Sequence, residues 1–174
     1  ANGIFRVWSR MGLDDDRPPF WLDSYPLTEQ AAVVAEAWDP VTGINTACAG
    51  KDMPWIMSSS WPFEFVNDGE SIRLLAEEFD RVRVIHLSER SGDPSPSPLG
   101  YSVGYWEDGS LIVNTTHINS MSFNGRDIPM SRDVTIRENF TLSADEGQLN
   151  YEMTVKDPAT FTETVTMNSR WIWR

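Results

Sequence analysis

YSVGYWEDGSLIVNTTH, residues 101–117, is where the chain declares its architecture. Two runs rich in β-branched and aromatic residues, Tyr101–Trp106 and Ser110–His117, flank Glu107-Asp108-Gly109. Asp-Gly supplies the two positive-φ residues of a type I′ turn, whose twist matches that of two antiparallel strands. Leu111 and Val113 share one face with Thr115 and His117 at a period of two, as in a half-buried strand. The segment is therefore a β-hairpin, and it sets the expectation for what surrounds it.

Working outward, short β-like runs separated by turn signals recur on both sides. They are Gly3–Trp8, Phe63–Val66, Ser71–Phe79 and Arg81–Leu87 before the hairpin, and Val134–Leu142, Leu149–Val155 and Phe161–Trp173 after it. With the hairpin these make about nine strands. The expected fold is mainly β: an antiparallel meander closing into a lipocalin-like β-barrel, because closure removes exposed strand edges. A two-sheet β-sandwich is the alternative. One short helix is expected from Glu29 to Trp38, N-capped by Thr28 and stopped by Asp39-Pro40. Its apolar stripe would be Leu27, Ala31, Val34, Ala35 and Trp38. The whole of 1–174 reads as a single domain, with 11–61 a helix-plus-loop segment packed on or over the barrel.

Composition narrows the function before any motif is considered. The chain has 174 residues, 14 Lys+Arg against 26 Asp+Glu, and a formal net charge of −12. That balance argues against nucleic acid and against anionic membrane surfaces, both of which need clustered cations. Apolar content of 40%, with eight Trp and eight Phe, is enough for a packed core and excludes disorder. The single cysteine, Cys48, excludes an intrachain disulfide framework and a Cys-based zinc site, and reads as a small core residue. Gly100–Gly104 lacks the Lys and following helix of a phosphate loop, and Ser58–Ser60 does not match the G-x-S-x-G nucleophile pattern. No cofactor is expected. The start at Ala1-Asn2-Gly3 suits a mature exported protein, periplasmic or extracellular.

Strand alternation gives the sharpest functional expectation. Glu138 shares a face with Val134, Ile136, Phe140 and Leu142; Glu163 with Phe161, Val165, Met167, Trp171 and Trp173. Similarly, His86 falls in phase with Val82 and Val84, Glu78 with Ile72, Leu74 and Ala76, and His117 with Leu111 and Val113. Five ionisable groups would thus face the interior: His86, Glu78, His117, Glu138 and Glu163. A buried carboxylate pairs, takes up a proton or lines a wet cavity, so a cavity with imidazoles and carboxylates suits cofactor-independent acid–base chemistry of isomerase, lyase or hydratase type. Trp55, Trp61, Trp106 and Trp171 are the candidate ligand-binding aromatics. The expected function is a barrel enclosing a small, largely apolar ligand in a cavity of about 300 Å³ or more. Two alternatives stand beside it. One is a structural or assembly subunit, a homo-oligomer or larger, joined through its terminal strands; the other is copper or another metal held by His, Met and Glu.

Several segments taken in order also resemble a known family. They are Met53-Pro54-Trp55-Ile56-Met57, Pro62-Phe63-Glu64-Phe65, Glu77-Glu78-Phe79-Asp80, Arg83-Val84-Ile85-His86, Ser97-Pro98-Leu99-Gly100-Tyr101-Ser102-Val103-Gly104 and Asp157-Pro158-Ala159-Thr160-Phe161-Thr162. From Leu27 to Trp173 the chain is similar to a family of uncharacterised exported bacterial proteins. The resemblance implies export and a bacterial source, and brings no catalytic roles with it. Where that family often reads Pro-Pro-Gly before the Met-Pro segment, this chain has Ala49-Gly50-Lys51-Asp52.

Overall fold

The computed structural model describes residues 3–10, 19–42, 50–89 and 92–173. Cys48 lies outside the described residues. Nine strands among them close into a barrel in simple sequence order: β1 (Val7–Ser9), β2 (Phe63–Asn67), β3 (Ser71–Ala76), β4 (Arg81–His86), β5 (Tyr101–Glu107), β6 (Ser110–Thr116), β7 (Thr135–Leu142), β8 (Gln148–Lys156) and β9 (Val165–Trp173). Closure is made by β1 against β9, with Trp8 opposite Trp173 and Ser9 opposite Ile172. The barrel replaces the sandwich alternative. The Asp108-Gly109 turn has both residues at positive φ (47° and 81°), as its sequence requires.

One joint departs from the expected meander. β4 and β5 run parallel and share only two register pairs, Ile85 with Ser102 and His86 with Val103. A parallel pair needs a long connection, and residues 87–100 supply it. Packing across this short seam relies on size matching. β5 turns Ser102 and Gly104 inward where β4 turns in Arg83 and Ile85. A Cβ on Gly104 would lie 2.6 Å from Ile85 Cγ2, so only glycine lets the two strands approach.

The interior is apolar along most of its length. Phe63, Phe65, Phe140, Tyr151 and Trp171 interlock edge-to-face or tilted, with ring centroids about 5 Å apart. Met53, Ile56 and Met57, around a 3-10 turn at Trp55–Ser58, join the same core from the segment preceding β2. Phe123, Ile128 and Phe161 join it from the β6–β7 and β8–β9 connections.

The helix α1 (Glu29–Glu36) is capped as expected, with Ala31 N–H donating to Thr28 Oγ1 at 3.2 Å. Its predicted apolar stripe is partly buried, with Leu27 packed against the core and Ala35 and Trp38 at intermediate burial. Ala31 alone on the helix is fully covered, and Val34 stands half exposed. The helix is also held through its cap: Thr28 N–H and Oγ1–H donate to the Thr160 and Ala159 carbonyls. That receiving loop is organised by buried Asp157, whose carboxylate accepts from Ser131 N–H, Ser131 Oγ, Thr160 Oγ1 and Ala159 N–H.

Candidate functional site

Of the five groups expected to face inward, Glu138 does so completely, at 0% exposure in the middle of β7. Its partner is Arg83, 2% exposed, which the alternation pattern had turned outward. The phase of β4 is opposite to the expected one: Arg83 and Ile85 point in, while Val82 and Val84 point out at 50% and 39% exposure. Strand register explains it. Ile72 and Leu74 face the core, and directly opposite them lie Ile85 and Arg83. A β-strand reading Val-Arg-Val-Ile-His can bury either set, and the neighbouring strand chooses.

The Arg83 guanidinium is enclosed by acceptors from four other strands or turns. Nη1 donates to Glu138 Oε1 at 2.8 Å and faces Met57 Sδ at 3.8 Å. Nη2 donates to Thr115 Oγ1 at 2.7 Å and to Glu138 Oε2, and Nε and Nη2 reach Ser102 Oγ at 3.2 and 3.1 Å. Tyr151 donates its hydroxyl to Glu138 Oε1 at 2.8 Å. Burial alone would weaken the guanidinium's hold on its proton, but the Glu138 carboxylate outweighs it and the net shift is upward. Burial, then the adjacent Glu138 charge, pushes the Tyr151 phenol well above its ordinary range. The cluster is charge-neutral and its strong donors are all used. It bridges β4 to β5, β6 and β7 across the two-pair seam, which is the work of a lock.

The other four expected groups are dispersed. Strand β3 ends at Ala76, so Glu78 sits in a 3-10 turn (Glu78–Asp80), where its carboxylate pairs with Lys51 Nζ at 2.8 Å. His86 ends β4 at the barrel margin, with its ring 5.2 Å from that of Tyr101. His117 follows β6 at φ 55°; this turns it out of the strand toward Thr116 Oγ1 (2.8 Å) and Asp93 Oδ1 (3.2 Å). Glu163 is exposed in the turn before β9. The alternation argument fails at Glu78 and His117 because the strand stops before them, at Glu163 because β9 starts only at Val165, and at His86 because it shares the outward phase of Val82 and Val84. Among the described residues no three His, Cys, Asp or Glu side chains converge as metal ligands.

The tryptophans divide likewise. Trp171 is core; Trp106 packs edge-on against Phe5; Trp55 lies beneath Lys51 with Nζ 5.2 Å from the ring; Trp61 is 57% exposed.

The principal hollows are open grooves on the barrel's outside or margin. One, about 680 Å³, is polar and lies by the β2–β3 turn, between Asp68, Glu70, Ser71 and His86. Another, mostly apolar, is about 300 Å³ and lies over β1–β4. Its floor is one cross-strand row, Val7, Glu64, Leu75 and Val82, placed side by side by the registers of three successive strand pairs. Pro62 and the Glu77, Asp80 and Arg81 corner form its walls. Exposed Trp61 precedes Pro62 in the chain, and Phe79, 54% exposed at φ 61°, precedes Asp80. An aromatic residue held in the left-handed region is strained, and here that strain presents a ring to solvent. Neither Glu64 nor Arg83 was singled out from the sequence. The register that places them is a property of strand pairs.

No family model, no curated protein and no solved structure matches the chain.

Proposed function

We propose that this chain is an exported, small-molecule-binding β-barrel whose ligand, small and largely apolar, lies in the external groove over β1–β4. The observation that carries the reading is the floor of that groove. Val7, Leu75 and Val82 present apolar side chains on the solvent side of the sheet, with Glu64 between Val7 and Leu75. Water-facing positions of a strand need no such side chains, and a small contiguous apolar hollow with a few polar groups is the usual form of a ligand site. The interior is a weaker candidate, since the Arg83–Glu138 cluster has its hydrogen-bonding capacity already engaged. Export rests on the resemblance of the ordered segments from Met53 to Thr162 to those of exported bacterial proteins. The assembly alternative has less support, because β1 already occupies the Ile172–Trp173 end of β9.

Titration with Nile red, a neutral apolar dye, tests this. Saturable binding is expected, weakened about tenfold or more by Val82→Glu, the loss of roughly 1.4 kcal/mol. The same change at Val33 on α1, also exposed, should leave binding unchanged. Equal binding by wild type and Val82→Glu, or no saturable binding at all, overturns the proposal.

A further inference from the structure

The charges around the groove specify its ligand further, an inference that rests on the reading just given. Three carboxylates surround the apolar floor: Glu64 within the row, and Glu77 and Asp80 at the wall. The cations nearby are already committed. Lys51 Nζ lies 2.8 Å from Glu78, and Arg81 Nη2 lies 3.2 Å from Asp52. Arg81 lines the groove, but its guanidinium is packed flat over Gly50, where a Cβ would come within 2.5 Å of Nε. These two pairs cancel. Glu64, Glu77 and Asp80 have no cationic partner among the described residues.

Glu64 is the most informative of the three. It is half-buried, and its cross-strand neighbours are Val7 on one side and Leu75 on the other. A carboxylate between two apolar side chains loses water without gaining a counter-charge, which raises its attraction for any cation reaching it.

We infer that the groove selects an organic cation: a small apolar or aromatic body carrying an amine or quaternary ammonium, with the apolar part on Val7, Leu75 and Val82 and the positive charge toward Glu64 and the Glu77–Asp80 corner. A neutral ligand of the same shape would leave Glu64 covered and unpaired. An anion would meet three like charges.

Displacement of bound Nile red by 4-phenylbutylamine, 4-phenylbutanol and 4-phenylbutyrate separates the two claims. The amine should compete about tenfold or more better than the alcohol at low salt, and the acid worst of all. Raising the salt to about 0.5 M should narrow the gap, because partly exposed charges are screened. Glu64→Gln/Asp80→Asn should bring the amine close to the alcohol while the alcohol itself hardly changes. Asparagine tolerates the positive φ of position 80 (49°), and both carboxylates have solvent access, so the fold should be retained. Equal competition by amine and alcohol overturns the cation inference and leaves small-molecule binding standing. Competition by none of the three, with dye binding insensitive to Val82→Glu, overturns both.

Discussion

Arg83 and Glu138 show how one side chain's meaning depends on its partner. Alone in an apolar barrel, either charge would cost several kcal/mol; together, with Ser102, Thr115 and Tyr151, they are neutral and fully bonded. Removing one partner should therefore cost more than removing both. Glu138→Leu is expected to destabilise the chain by about 3–5 kcal/mol in urea unfolding, and Arg83→Met/Glu138→Leu by less than Glu138→Leu alone. Additive losses would mean that the pair acts as two independent contacts. Glu138 was legible from the sequence because β7 alternates without ambiguity over its whole length. Arg83 was not, because Val82 and Val84 are as hydrophobic as the side of the strand that is actually buried.

The least regular element is the parallel β4–β5 seam, where large side chains on one strand meet small ones on the other. Gly104 permits this contact, and the Arg83 network spans it. Gly104→Val should lower stability by about 1–3 kcal/mol in thermal unfolding, the range for overpacking, and Ile85→Ala on that background should recover part of the loss. The helix illustrates the reverse situation. Thr28 was readable as a cap because capping is local chemistry, whereas the stripe from Leu27 to Trp38 is covered only in part, at Leu27 and Ala31, and leaves Val34 exposed. His117, Glu78 and Glu163 belong here too. Each lies just beyond the end of its strand, where period-two reasoning no longer applies, and element ends are where sequence patterns carry least information.

Across the molecule, the −12 net charge divides into distinct uses. One carboxylate is locked inside, several are turned into loop staples, and three surround the external groove. The staples are visible in acid: hydrogen bonds from the Ser71 backbone and side chain hold Asp68 below the usual carboxylate range, and those from Ser143 and Gly147 do the same for Asp145. The alkaline limit is set by the interior. Tyr151, and to a lesser degree Tyr25, keep their protons in the folded state, principally because of burial, at a pH where the unfolded chain gives them up. A raised folded pKa contributes stability that is complete below the unfolded value near 10 and is lost as pH rises toward the folded one. Urea midpoints should accordingly fall above about pH 10, and Tyr151→Phe should flatten that fall while lowering stability at neutral pH through the lost bond to Glu138. A midpoint independent of pH up to 11 in the unsubstituted chain would contradict it.

Hydrophobic alternation, turn chemistry and composition were enough to specify a nine-strand barrel with one capped helix, because each is written within a few consecutive residues. The register between strands was not. It required β3 to choose the face of β4, β5 to run parallel, and three strand pairs to line Val7, Glu64, Leu75 and Val82 into one row. Register arises from contacts between residues far apart in the chain, and a shift of one position exchanges inside for outside. That is why the fold could be read before folding, while the locked ion pair and the acidic groove became visible only after it.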